Sequence, residues 1–134
     1  MDRIDIHIEV PAVKYDDLTK GPKGEGSKEI RERVLKSRDI QLKRFEDDKK
    51  HKVFCNAHMG SELLAKYCQI DEAGDKLLKT ATEKLGLSAR AYDRIRKVAR
   101  TIADLEGEEK ILTHHLSEAI QYRSLDRQLW LGGI

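Results

Sequence analysis

The chain has 134 residues, 39% hydrophobic and 37% charged with aromatics at only 5%, which suits one core of helices with narrow apolar stripes and excludes a nucleotide-binding domain beside a second full domain. Its 26 Lys and Arg against 24 Asp and Glu leave a net charge of +2, too small for a general field drawing it onto nucleic acid or an anionic membrane. No run approaches the ~18 apolar residues of a membrane span, Met1-Asp2-Arg3 opens neither a signal nor a transit peptide, and Cys55 and Cys68 read as reduced thiols, so a cytoplasmic protein is expected.

Ile4 to Val10 alternates apolar and polar residues with period two and stops at Pro11, the signature of a strand with one buried face. No later segment repeats the pattern, so residues 1–12 read as a strand whose sheet lies elsewhere. Residues 13–26 are polar, end in Gly21-Pro22-Lys23-Gly24-Glu25-Gly26, and read as a flexible linker.

Residues 27–134 read as the helical domain, with helical spacing as far as about Arg123. Ser27 is placed to cap a long one reaching about His51, with Ile30, Val34 and Phe45 among charges of both signs. Cys55 to Gly60 breaks the period. Ser61 can cap a short helix presenting Leu63, Leu64 and Tyr67 and ending near Gln69, and Asp71 a third carrying Leu77, Leu78, Ala81 and Leu85. Gly86 stands where a left-handed C-terminal residue is placed. Ser88 caps the best-patterned helix, with Tyr92, Ile95, Val98, Ala99, Ile102 and Leu105 in one stripe before Gly107. Thr113 opens a last helix through Leu116, Ala119 and Ile120 to about Arg123, and the tail to Ile134 has no usable period. The expected inner face is Ile30, Val34, Leu63, Leu64, Leu77, Leu78, Leu85, Ile95, Val98, Ile102, Leu116 and Ile120.

Three chemical signals can be weighed from residue types alone. Lys23 in its glycine-rich run has no Ser or Thr after a Gly-Lys pair and follows no hydrophobic strand, and no acidic pair offers itself for magnesium, so the isolated chain is not expected to hydrolyse ATP. His51, Cys55, His58 and Cys68 offer zinc-type ligands, but not as the paired knuckles of structural zinc, so no metal site is predicted; His114-His115 reads as a surface pair. Arg94, Arg96, Lys97 and Arg100 give the fourth predicted helix a basic flank that can meet DNA phosphates, diluted by Asp93 and Asp104; the alternative is a solvated face.

The segments Asp2 to Val10, Gly86-Leu87-Ser88-Ala89-Arg90-Ala91-Tyr92 and Val98 to Leu105 together resemble the magnesium-chelatase-related branch of AAA+ ATPases, closest to the ComM (YifB-like) competence protein family. Asn56-Ala57 and Gln121-Tyr122-Arg123 keep the family order. The resemblance implies a mainly α fold, a small four- to five-helix AAA+ lid bundle from Ser27 to about Arg123, with a short N-terminal strand left over from the α/β ATPase core. It implies that Arg90 matches the sensor 2 arginine on the terminal phosphates of nucleotide. Arg3 matches an arginine finger acting in trans, with Met1 where the family has Leu. ATP and Mg2+ are the implied cofactors of the parent, none held tightly by this fragment. The implied partners are the AAA+ core, neighbouring subunits of a homo-oligomeric ring, expected to be a hexamer, and branched or single-stranded DNA. A chelatase-type motor inserting metal into a porphyrin fits Arg90 equally, and a DNA- or protein-interaction module without a nucleotide role is the rival from another class.

Overall fold

The computed structural model describes residues 4–10, 12, 15, 19, 24–48 and 50–132, with side chains as far as Arg123. Among the described residues five α-helices are delimited in chain order: α1 Ser27–Glu46, α2 Ser61–Tyr67, α3 Glu72–Leu85, α4 Ala89–Glu106 and α5 Thr113–Gly132, with a 3-10 turn at Asn56–His58. The fold is mainly helical, as the periodicity predicts.

The stripe on α4 makes that helix the hub. It packs against α1, α2, α5 and the 3-10 turn, and α5 also covers α3. Ile95, Ala99 and Ala103 are fully buried at 0% exposure, with Leu63, Leu64, Leu78, Ile111 and Leu116 in the same core. Each buried leucine or isoleucine stabilises the fold by about 1.5–3 kcal/mol. Gly74 marks the close approach of α3 and α5: a Cβ there would lie 2.7 Å from Leu116 Cδ1 and 2.3 Å from Ile70 Cγ2.

Helix ends follow from local chemistry. The Asp71 and Ser88 side chains accept the N–H groups of Gly74 at 2.8 Å and Ala91 at 3.1 Å, each satisfying a first-turn donor. Gly86 and Gly107 end α3 and α4 at φ of +61° and +77°, a conformation that disfavours a side chain. Ser27 and Ser61 fall one position inside: the caps are Gly26 and Gly60, with no side-chain bond. α1 stops at Glu46, short of the expected His51, and α5 continues past Arg123 to Gly132.

Two expectations are corrected. Ile4–Val10 forms no strand, and the described residues contain only one isolated parallel bridge, Ile70 with Ile111. The segment finds no second strand to pair with, so it lies on the bundle by other contacts: Asp5 pairs with Arg94, the His7 N–H donates to Tyr122 O at 2.9 Å, and Arg123 donates to Ile4 O at 2.8 Å. Its apolar residues Ile4, Ile6, Ile8 and Val10 stand 47% to 79% exposed. Ile30 and Val34 are likewise not inner residues. Residues 27–36 of α1 are all exposed, and burial begins only at Ser37.

Candidate functional site

α4 starts at Ala89 under the Ser88 cap, so Arg90 sits in its first turn. It is exposed and has no hydrogen-bond or ion-pair partner among the described residues. The free N–H groups and dipole at a helix start disfavour a cation by up to about 1 kcal/mol and favour an anion. An unpaired guanidinium beside them is therefore suited to a phosphate, which both groups attract. Arg3 lies outside the described residues.

The four cations further along α4 do not form one basic face. Arg94 pairs with Asp5 at 2.6 Å. Arg96 donates to the carbonyls of Leu64 and Cys68 at 3.1 and 3.2 Å, at the C-terminal end of α2. Lys97 donates to Ala57 O in the 3-10 turn at 3.2 Å. Arg100, 3% exposed, donates to the carbonyls of Glu108 and Glu109, both at 2.7 Å. This flank of α4 faces neighbouring backbone, so Arg96 and Arg100 are spent inside the fold. Arg94 and Lys97 border a groove of about 740 Å³, walled by Ile6 and Ile8 of the N-terminal segment, Val98 and Ile102 of α4, and Tyr122 of α5.

Sequence reasoning missed a buried polar cluster beneath α1. The Asp104 carboxylate, its side chain 0% exposed, receives Arg44 through both terminal nitrogens, at 2.9 and 2.5 Å, and the Asn56 amide at 2.9 Å. Arg100 Nε lies 3.2 Å from the same carboxylate. Asn56 also accepts from Arg44, donates to Thr101, and offers its backbone N–H to the buried Gln41 side chain. Burial pulls the Arg100 pKa down while the Asp104 charge opposes that shift. The signal available in sequence was the Arg100/Asp104 pair at i,i+4 on one helix.

The four zinc-type residues do not converge. His51 is held by Asp48 at 3.0 Å and Glu62 at 2.7 Å, Cys55 Sγ lies 3.5 Å from His58 Nδ1, and Cys68 is buried elsewhere in the core, its thiol pushed up to about 11 by burial. Glu106, His114 and His115 instead bring their ligand atoms within 4.8 Å of one another. His115 corrects the expected surface pair: it is 0% exposed, and only His114 faces solvent. Its Nδ1 accepts the Leu112 N–H at 2.9 Å, so in the neutral ring Nε2 carries the proton and donates it to Glu106. A protonated nitrogen is no ligand, and His115 in this tautomer caps the start of α5 as the Glu or Gln of a capping box does.

Residues 24–123 match the family described as magnesium chelatase, subunit ChlI C-terminal. The chain belongs to this family. Competence protein ComM of Haemophilus influenzae is 44% identical over 130 residues, covering 96% of this chain and 24% of that protein. The uncharacterized YifB proteins of Salmonella typhimurium and Escherichia coli are 37% and 36% identical with the same coverage. The chain thus spans about a quarter of the length of the curated relatives it matches, 24% in each case. It is a ComM/YifB-like C-terminal region, and the magnesium-chelatase C-terminal fold is here a helical bundle centred on α4. Among the described residues no helix is long and apolar enough to cross a membrane.

Proposed function

We propose that this chain is the C-terminal lid of a cytoplasmic AAA+ ATPase and that Arg90 reads the terminal phosphates of ATP held between lid and core. The observation that carries this reading is the exposed Arg90 in the first turn of α4, with no partner among the described residues. A guanidinium stays charged and offers a planar fork to two phosphate oxygens, so it stabilises charge on a transferring phosphoryl group better than a lysine would. The core supplies the phosphate loop and Mg2+, and this chain alone is not the enzyme. Loss of the phosphate contact on hydrolysis frees the lid to rotate, which is the stroke of the motor.

The exposed isoleucine row of residues 4–10 supports the same reading. In the parent it completes the core sheet as its last strand, and the Asp5–Arg94 pair ties that strand to α4 one turn beyond Arg90. Arg3, beside it in sequence, acts as an arginine finger toward the next subunit of a homo-oligomeric, hexameric ring. The 44% identity to a competence protein favours a parent that moves on branched or single-stranded DNA, in recombination or natural transformation. Of the α4 cations, Arg94 and Lys97 at the groove remain the candidates for touching DNA.

The test is steady-state ATP turnover by the full-length parent. Arg90→Ala lowers it at least tenfold, about 1.4 kcal/mol in barrier, and unchanged turnover overturns the lid reading in favour of an interaction module. Forked or four-way DNA stimulates the unaltered protein. A flat response with normal basal turnover moves the reading to a chelatase-like motor driving metal insertion, which the family description also supports.

A further inference from the structure

We propose that a small polar pocket of about 200 Å³ between α1, α2, α4 and the α4–α5 connection binds a phosphoryl group. Arg44, Lys66, Arg100 and Lys110 line it, with Tyr67 and Gln69 as further polar groups. Against these four cations stand Glu109 in the lining and Asp104 behind it, a surplus of two positive charges.

Arg44 is the anchor. Both Nη1 protons and one Nη2 proton are engaged, by Asn56 Oδ1 and the two Asp104 oxygens. A guanidinium has five N–H donors, so Nε–H and the second Nη2–H are left. These two share one edge, the parallel fork that meets two oxygens of a phosphate. Neither Nε–H nor this second Nη2–H has a partner among the described residues. The side chain itself is only 12% exposed and is clamped by a carboxylate at 0%, so the fork is fixed before any ligand arrives.

The surroundings favour an anion. The carbonyls of Leu64 and Cys68 at the C-terminal end of α2, which would repel one, are covered by Arg96. Arg100 pins the carbonyls of Glu108 and Glu109 and so fixes the connection that carries Lys110. Lys66, whose Nζ lies 5.1 Å from the centre of the Tyr67 ring, and Lys110 are exposed and can swing in as compact charges. The phosphoryl group can belong to a small phosphorylated molecule or to a nucleic-acid backbone. Neither source depends on the nucleotide role of Arg90.

The test is a backbone amide NMR titration of the full chain with inorganic pyrophosphate at constant ionic strength. Saturable shifts are expected at Tyr67, Gln69, Lys110 and Ile111, with affinity at least tenfold weaker in Lys66→Ala/Lys110→Ala, two exposed positions that leave the fold intact. In Arg90→Ala these four amides shift with the same affinity as in the unaltered chain, whatever phosphate contact is lost at the start of α4. A short DNA duplex that shifts the same amides and displaces pyrophosphate assigns the site to backbone phosphate, and a duplex that leaves them unmoved assigns it to a small molecule. Absence of saturation in the millimolar range overturns the proposal, as does binding that survives the double lysine variant or disappears in Arg90→Ala.

Discussion

Arg44 and Asp104 lie 60 residues apart in the chain and meet in a two-pronged ion pair that joins the end of α1 to the end of α4. Asp104 is the only carboxylate that the buried cluster gives to two guanidiniums, Arg44 and Arg100. Removing its charge leaves both cations uncompensated, and a broken buried pair typically costs 3–5 kcal/mol. Asp104→Asn is therefore expected to lose about 3 kcal/mol or more in urea unfolding. A loss under about 1 kcal/mol, the scale of an exposed pair, would show that the cluster does not hold the bundle together.

The exposed start of α1 gives a contrast within one fold. Leu78→Ala empties a fully buried site, 0% exposed, and is expected to cost about 2–5 kcal/mol. Ile30→Ala and Val34→Ala, at 43% and 46% exposure, should each stay within about 0.5 kcal/mol. Equal losses at the two places would mean that α1 packs along its whole length in solution.

His115 is expected to act through its cap. Gln at this position can still reach back to the Leu112 N–H, whereas Leu cannot. Thermal melts should find His115→Gln more stable than His115→Leu by about 1 kcal/mol, the usual worth of a lost cap. The reverse order would show that the buried ring serves packing alone.

The two thiols should separate by reactivity. Cys68 is 0% exposed and burial lifts its thiol to about 11, while Cys55 is half-exposed. In the native chain at pH 8 a thiol reagent is expected to label Cys55 rapidly and Cys68 only after unfolding. Fast labelling of both would mean that α2 opens readily.

His51 offers a pH test. Hydrogen bonds to Asp48 and then Glu62 raise its pKa above the ordinary 6.5, and His51 in turn lowers both carboxyls. The raised histidine contributes stability that is present below its ordinary value and lost as pH rises through its raised one. The lowered carboxyls contribute stability present above their ordinary values and lost as pH falls through the lowered ones. NMR titration should place the His51 midpoint above 6.5, and Asp48→Asn should bring it down further than Glu62→Gln. A midpoint at the ordinary value in the unaltered chain would remove the cluster.

Local spacing alone settles the helices that bury a stripe. The α4 pattern, the Asp71 and Ser88 caps and the stops at Gly86 and Gly107 are settled within a turn or two of chain, where spacing and side-chain chemistry are enough. It also placed Arg90 in a first helical turn. Which polar groups meet depends on how the helices pack. Arg44 reaches Asp104, Arg100 turns inward and His115 sinks under α5 because packing brings distant residues to one spot, and a charged residue reads the same in sequence whether it is solvated or buried in a pair. The same reason explains Ile4–Val10 and Ile30/Val34: a period shows that one face is apolar, but burial needs a neighbouring surface, and the described residues cover them only in part.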